Sequence, residues 1–229
     1  MNALILAGGY GTRLGKLTLE IPKVMLPIQG EPLIDILIKK LLYLNFEKII
    51  VNTHFKGHII QNFLQKQDYF SNIIVAPEPK LLGTAGTLKE NLNYLAQDDF
   101  LVMHGDNYFT DDLSGLKNFH KLDNSNSLMT MGTFITTQPE LYGVVEIDSD
   151  KFINKFFEKS FSSDSNIANA AIYFFKKKAV KIISTLSDYE SDISKDLLPK
   201  FVGRSKIYQL NGKFIDIGVP ERYYSAQFL

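Results

Sequence analysis

The chain opens on the feature that most limits its fold. Ala3-Leu4-Ile5-Leu6-Ala7 is an unbroken apolar run, and it ends in Gly8-Gly9-Tyr10-Gly11-Thr12-Arg13-Leu14. A short apolar run cut off by glycine is the pattern of a strand buried on both faces, and such strands belong to sheets covered by helices. The glycines let backbone approach a ligand closely, and successive N–H groups there can form an anion-binding nest.

Helix and strand signals then alternate along the chain. Leu33, Ile34, Leu37, Ile38, Leu41 and Leu42 recur at helical spacing, with Pro32 suited to the first turn and Asn45 to the exit. Residues 48–52 predict a second strand, and Ile59, Ile60, Phe63 and Leu64 mark a second helical face. A third strand at 73–75, a helix over 85–95 and a fourth strand at 100–103 come next. Strand–helix alternation predicts an α/β fold with a mainly parallel sheet. After residue 125 the pattern changes. Residues 128–131, 143–147, 152–157 and 170–175 are strand-like with few helices between them, which predicts an antiparallel or mixed extension. Helices near 177–186 and 192–201, strands near 206–208 and 213–215, and a helix from Pro220 complete the reading. No linker or repeat interrupts residues 1–229, so one α/β domain with a substrate-binding second half is expected.

Composition removes several classes. The 229 residues contain no cysteine, which excludes disulfides, thiolate metal sites and a cysteine nucleophile. The 25 basic residues are balanced by 25 acidic ones, without the basic excess of a nucleic-acid binder. No apolar stretch approaches the roughly 20 residues that cross a bilayer, and Met1-Asn2-Ala3-Leu4 lacks a signal-peptide start. A cytoplasmic protein without membrane or nucleic-acid partners is expected.

Two nucleotide motifs fail on named residues. A dinucleotide fingerprint would need glycine where Leu14 stands and a carboxylate at the end of the second strand, which instead reads Asn52-Thr53-His54. A P-loop would need glycine at Tyr10 and a hydroxyl at Leu17. The loop resembles instead the L-A-G-G-x-G-T-R-L signature of the sugar-1-phosphate nucleotidyltransferases, most like the mannose- and heptose-1-phosphate guanylyltransferases. Leu6 to Leu14 match it throughout. Further pieces resemble the family's motifs in order: Pro22-Lys23, Gly83-Thr84-Ala85-Gly86, Gly105-Asp106, Tyr142-Gly143-Val144-Val145, Phe157-Glu158-Lys159, Asn169-Ala170-Ala171-Ile172-Tyr173 and Asp216-Ile217-Gly218. Three positions depart from the pattern. Val24 and Ser160 stand where proline is usual, and Ala171 stands where glycine is usual.

The resemblance implies a single Rossmann-like, GT-A-like domain over residues 1–229 with a mixed, mainly parallel sheet, 1–125 mainly binding nucleotide and 126–229 mainly binding sugar phosphate. It implies transfer of a nucleotidyl group from an NTP to a sugar 1-phosphate, releasing pyrophosphate, in the synthesis of surface-glycan precursors. Leu6, Ala7, Gly8, Gly9, Gly11, Thr12, Arg13, Glu78, Gly83 and Thr84 would hold the nucleotide. Arg13 and Lys23 would be catalytic, Arg13 on the β- and γ-phosphates and Lys23 near the α-phosphate. Gly143, Glu158, Lys159 and Asn169 would hold the sugar phosphate, and Glu146 could meet a sugar hydroxyl. Asp106 and Asp216 would hold Mg²⁺, a hard cation that takes one or two carboxylates plus substrate phosphates. A phosphate monoester has a second pKa near 6, so no strong general base is demanded.

Glu78 favours GTP, because a carboxylate accepts from the two donors on guanine's edge, whereas uracil and thymine offer one imide donor between acceptors. A uridylyltransferase acting on N-acetylmuramic acid 1-phosphate stays an alternative, and the length suits small relatives without an added C-terminal domain. From other classes, a GT-A-type glycosyltransferase would show Asp-x-Asp where Asp106-Asn107-Tyr108 stands, and a non-catalytic sensor would not need both metal carboxylates. His54 and His58 have helical metal-pair spacing, but Gly57 lies between them and no glutamate does, so a satisfied or solvent-facing pair is the reading. Asp98, Asp99, Asp111 and Asp112 are expected at the surface or in caps, and Lys176, Lys177 and Lys178 on the surface at a helix start. The aromatic tail from Tyr223 is expected to pack on its own domain, with a homodimer as its other use.

Overall fold

The computed structural model describes residues 1–158 and 163–229. In chain order the elements are β1 (Ala3–Leu6), β2 (Pro27–Ile28), β3 (Glu31–Pro32), α1 (Leu33–Tyr43), β4 (Ile49–Thr53), α2 (Gly57–Leu64) and β5 (Ile73–Pro77). Next come α3 (Gly83–Glu90), α4 (Leu92–Leu95), β6 (Phe100–His104), β7 (Asn107–Phe109), α5 (Ser114–Leu122) and β8 (Met129–Ile135). The rest are β9 (Gly143–Ile147), β10 (Ile153–Glu158), β11 (Ile167–Phe175), α6 (Val180–Ile183), β12 (Ser205–Gln209), β13 (Phe214–Asp216) and α7 (Pro220–Ala226). Short 3₁₀ turns at Thr12–Thr18 and Lys23–Met25 follow the glycine-rich loop after β1. The chain gathers into two compact units that interleave along the sequence: Met1–Leu81, Met103–Asp112 and Gly212–Leu229 form one, Leu82–Val102 and Leu113–Asn211 the other.

In the first unit β4 lies between β1 and β5, all parallel. The register runs Leu6↔Asn52↔Ala76, so the C-terminal ends of three strands, and the loops after them, share one edge. These strands are continuous apolar runs because both faces are covered, and Leu4, Ile5, Ile49, Ile50 and Val51 are fully buried. On α1 the stripe Leu33, Ile34, Leu37, Ile38, Leu41 is fully buried, as its spacing requires. Asn45 ends the helix with φ of 58° and donates its N–H to Leu42 O, the left-handed exit that Asn tolerates. Pro32 sits just outside the helix, paired with Pro27, and not in the first turn. An antiparallel ladder joins β13 to β7 with Asp216 opposite Asn107. The tail packs on its own unit: Tyr223 and Ala226 are buried, and the Tyr223 hydroxyl donates to Pro27 O at 3.1 Å.

In the second unit β11 pairs antiparallel with β8 and β9, β9 with β10, and β8 runs parallel to β12. The fold class is therefore α/β with mixed strand pairing, as the change of pattern after residue 125 implied. Phe100 and Phe175 stack at 5.4 Å in a core that also buries Phe174 and Phe201. The register of β11 shifts between Asn169 and Tyr173, and Ala171 within the bulge has φ of 51°.

Four elements escape sequence reading, among them β2 and β3 with two residues each. The three-residue strand β7 is too short to show a period, and α5 buries only Leu116 and His120. Three charged positions also differ from expectation. Asp111 is buried. Asp99 is half-buried, accepting from Lys177 N at 2.8 Å and lying 3.3 Å from the Nε2 of the fully buried His120. Lys176 is half-buried too, donating to His120 O at 2.8 Å and lying 3.4 Å from Asp99, so it anchors the chain before the turn at Lys177–Ala179. Lys177 and Lys178 stay exposed. Among the described residues no helix is long and apolar enough to cross a membrane.

Candidate active site

The loop after β1 is built to be close-packed on one side and open on the other. Gly9 and Tyr10 are exposed, whereas Gly8 is buried. Gly11 takes φ of 67°, a left-handed conformation that costs glycine nothing, and its O accepts from Leu14 N at 2.9 Å and the Thr18 hydroxyl at 3.0 Å. A Cβ on Gly11 would stand 3.2 Å from Lys23 Cβ, so the loop lies directly over the lysine stem.

Lys23 reaches Asp106. Its ammonium donates to Asp106 Oδ2 and the pair is half-buried, with side-chain exposures of 14% and 19%. Burial alone would raise the Asp106 pKa. The charge of Lys23, then that of His104 with Nδ1 4.0 Å away, and the Lys23 hydrogen bond outweigh it and hold the carboxyl well below the usual carboxylate range. The β7–β13 ladder then delivers the second carboxylate. Asp216 pairs with the residue after Asp106, and Ile217 N donates to Asp106 O at 3.0 Å. Asp216 Oδ1 accepts from Gly218 N at 2.7 Å and its Oδ2 lies 3.1 Å from Arg222 Nη2. Gly218 leaves room for Arg13 as well, because a Cβ there would stand 2.9 Å from Arg13 Nη2. Arg13, Lys23, Asp106 and Asp216 thus come together within one unit.

The two aspartates fit a hard divalent cation. Asp216 ends β13 and Asp106 immediately precedes β7, and each carboxylate is met by cationic or N–H groups, Asp106 by Lys23 and Asp216 by Gly218 N and Arg222. Among the described residues no group of three His, Cys, Asp or Glu side chains is assembled to hold a metal. Such an ion would complete its shell with water and phosphate oxygens.

At the other end of the shared strand edge stands Glu78, 7% exposed. Asn52 Nδ2 donates to its Oε1 at 3.2 Å, and Asn52 Oδ1 accepts from Ala7 N at 2.6 Å. The Leu6 carbonyl accepts from Gly105 N at 2.9 Å. The backbone of Leu6 and Ala7 therefore has inner partners that fix it.

In the second unit Gly83 begins α3 with φ of 76°, and a Cβ there would be 2.4 Å from Ser191 O. Thr84 Oγ1 accepts from Ile193 N at 2.7 Å, and Ala85 N donates to Ser191 O at 2.8 Å, so the turn is stapled to residues 191–193. The β9–β10 ladder sets Gly143 opposite Glu158, whose Oε2 would lie 2.9 Å from a Cβ on Gly143. Glu146 is taken up by Lys155 at 2.9 Å. Asn169 accepts from Ala171 N and donates to the Tyr173 hydroxyl, both at 2.8 Å, so its amide bridges the bulge of β11. Burial raises the Tyr173 pKa, which keeps the phenol neutral as that acceptor. Lys159 lies outside the described residues.

The sequence profile described as Nucleotidyl transferase matches residues 2–228. The chain belongs to this family. It is similar to a putative mannose-1-phosphate guanyltransferase of Sulfolobus acidocaldarius, 34% identical over 97% of this chain and 61% of that protein. It is also similar to a D-glycero-alpha-D-manno-heptose 1-phosphate guanylyltransferase of Campylobacter jejuni, 31% identical over 98% of this chain and 97% of that protein. Among solved structures, HddC from Yersinia pseudotuberculosis complexed with GMP-PN matches with a TM-score of 0.80 and 31% identity, covering 99% of this chain and 98% of that one. The chain thus spans nearly all of some relatives, but 61% and 52% of the length of others.

In this member of the family, three side chains without an assigned role in the sequence motifs pack beside the candidate site residues. Asn52 carries a local signal, a polar residue ending an apolar strand. His54 is satisfied, as expected, and has two partners, with Nδ1 2.8 Å from Glu78 O and Nε2 3.2 Å from the Tyr10 hydroxyl. Arg222 gives no signal in the sequence, since it follows the last motif and acts through Asp216.

Proposed function

We propose that this nucleotidyl transferase moves a guanylyl group from GTP to a sugar 1-phosphate. The observation that carries the proposal is the convergence of Arg13, Lys23, Asp106 and Asp216 beside the glycine loop. A phosphate oxygen of the sugar 1-phosphate attacks the α-phosphorus in line. The new P–O bond forms as the bond to the α,β-bridging oxygen breaks, and pyrophosphate leaves with that electron pair. The attacking monoester is already largely dianionic at neutral pH, so alignment and charge neutralisation are the work to be done.

Arg13 is suited to the leaving pyrophosphate because a guanidinium binds phosphate bidentately. Lys23 stands where negative charge grows on the transferred group. Members of the family generally use a divalent metal, and we assign Mg²⁺ to Asp106 and Asp216. When bound, such an ion draws charge from the phosphate oxygens. Gly143, Glu158, Lys159 and Asn169 are assigned to the sugar phosphate and Glu78 to the base. Residues 1–229 act as one nucleotidyltransferase domain in this reading, with the nucleotide held mainly by residues before 126. Supporting the choice of GTP and a manno-configured sugar are the guanylyltransferase names of the similar proteins and the guanine nucleotide analogue in the similar structure.

The test is pyrophosphate release with Mg²⁺, across four NTPs and the 1-phosphates of mannose, glycero-manno-heptose and N-acetylmuramic acid. GTP with a manno-configured sugar should be turned over fastest. Silence with every pair would refute the assignment. Release of a nucleoside diphosphate from an NDP-sugar would point to the glycosyltransferase reading instead.

A further inference from the structure

Three consecutive residues of this chain hold Glu78. Asn52 donates to its carboxylate, Thr53 O accepts its N–H at 2.7 Å, and His54 Nδ1 lies 2.8 Å from its carbonyl oxygen. The parallel register explains how. Asn52 stands between Leu6 and Ala76, two residues before the glycine loop begins at Gly8 on one side and two residues before Glu78 on the other. The residue is 3% exposed and its side chain spans that interval, with Oδ1 on Ala7 N and Nδ2 on Glu78 Oε1. Gly8 leaves it room, since a Cβ on Gly8 would stand 2.8 Å from Asn52 Nδ2. His54 adds a second strap. To bond a carbonyl, Nδ1 must carry the proton, and in the neutral ring Nε2 is then left to accept from the Tyr10 hydroxyl at the loop tip.

We infer that Asn52 is a positioning residue for base selection, setting the direction of the Glu78 carboxylate and tying it to the glycine loop. This rests on the reading of Glu78 as the base-facing acceptor. An amide is the side chain that can do both jobs at this place, because it presents an acceptor and a donor on one short plane. Aspartate would keep the acceptor for Ala7 N–H but lose the donor, and would set a second carboxylate against Glu78. Alanine would lose both bonds. Without the amide's hold the Glu78 carboxylate could turn, and discrimination between purines would fall because it depends on an acceptor held in place.

The experiment compares GTP with ITP, which lacks only the 2-amino donor, in the wild type, Asn52→Ala, Asn52→Asp, Glu78→Gln and Glu78→Ala. It measures kcat and KM for each nucleotide and calorimetric Kd values without sugar phosphate. The expected result is a wild-type preference for GTP that falls at least tenfold in Asn52→Ala and Asn52→Asp, with the loss in KM and Kd for GTP rather than in kcat. The Glu78 variants should lose the preference in the same way. If preference survives in both Asn52 variants but not in the Glu78 variants, Asn52 is only structural and the inference is overturned while the base reading stands. If the preference survives in all four variants, or the wild type shows none, Glu78 does not read the 2-amino group and the reading beneath the inference falls. Asn52→Asp keeps the shape and the loop bond, so it decides the matter should Asn52→Ala not fold.

Discussion

The Lys23 ammonium is bonded to the Asp106 carboxylate beneath Gly11, so the proposed α-phosphate lysine and the first metal carboxylate form one half-buried ion pair. Breaking one side leaves the other charge without its counterpart. Asp106→Asn should therefore lower stability by about 1–3 kcal/mol and lower turnover roughly 100-fold or more. The double variant Asp106→Asn with Lys23→Met removes both charges and should regain much of the stability with none of the turnover. Urea unfolding and pyrophosphate release, run on the same three proteins, separate the two effects. Activity that recovers together with stability would mean the pair is structural alone.

Gly143 gives the sharpest steric test of the proposed sugar site. An added methyl would meet the Phe156 ring at 2.7 Å and Glu158 Oε2 at 2.9 Å. The carboxylate must then shift off the strand. Gly143→Ala should raise KM for the sugar 1-phosphate about tenfold, a change of roughly 1.4 kcal/mol, while KM for the NTP moves little. Equal change in both constants would remove Glu158 from the sugar phosphate.

Legibility in the sequence followed the range of the signal. The strand and glycine loop of residues 3–14, the buried stripe of α1 and the Asn45 exit are local patterns, and each is found where its pattern places it. Asp106 and Asp216 are legible only as motif residues. Their closeness depends on the β7–β13 ladder, and β7 has too few residues to announce itself. Asn52 shows in the sequence as part of a strand end with no visible task, because its partners Ala7 and Glu78 become neighbours only through the register of three parallel strands. Asp99 looks like any surface aspartate until the fold sets the buried His120 beside it. Residue type and local spacing carry information about the chain itself, whereas burial and pairing are properties of the assembled sheet.

Ala171 stands where the resembling motif has glycine, and its φ of 51° shows why glycine suits the place. The left-handed region presses an alanine Cβ against the backbone, at a cost of about 1–2 kcal/mol. Asn169 and Tyr173 clamp the bulge on either side, so the chain has no easy route out of that conformation. Ala171→Gly should stabilise the protein by about 0.5–1 kcal/mol, the relief being partly offset by the greater freedom of glycine when unfolded. A shift of the urea midpoint to higher concentration, with the slope unchanged, is the expected observation. Destabilisation would show that the methyl packs well enough to outweigh the strain.

Asp99 makes the second unit sensitive to acid. Burial would raise its pKa, but the adjoining His120 imidazole, the N–H of Lys177 and the charge of Lys176 together bring it down to about 2. A carboxylate lowered in the folded state stabilises the protein fully above its ordinary value near 3.9 and loses that contribution as pH falls toward 2. His120 adds to the trend from higher pH. Burial lowers its pKa, so below about 6.5 the unfolded chain takes up a proton that the folded one resists. Thermal unfolding of the wild type should therefore weaken as pH falls below 6.5 and more steeply between 4 and 2. In Asp99→Asn the lower step should be absent, so the gap between variant and wild type should be wide at pH 7 and narrowed to about a third by pH 2.5. A gap that stays constant over that range would show that Asp99 contributes through packing and not through its charge.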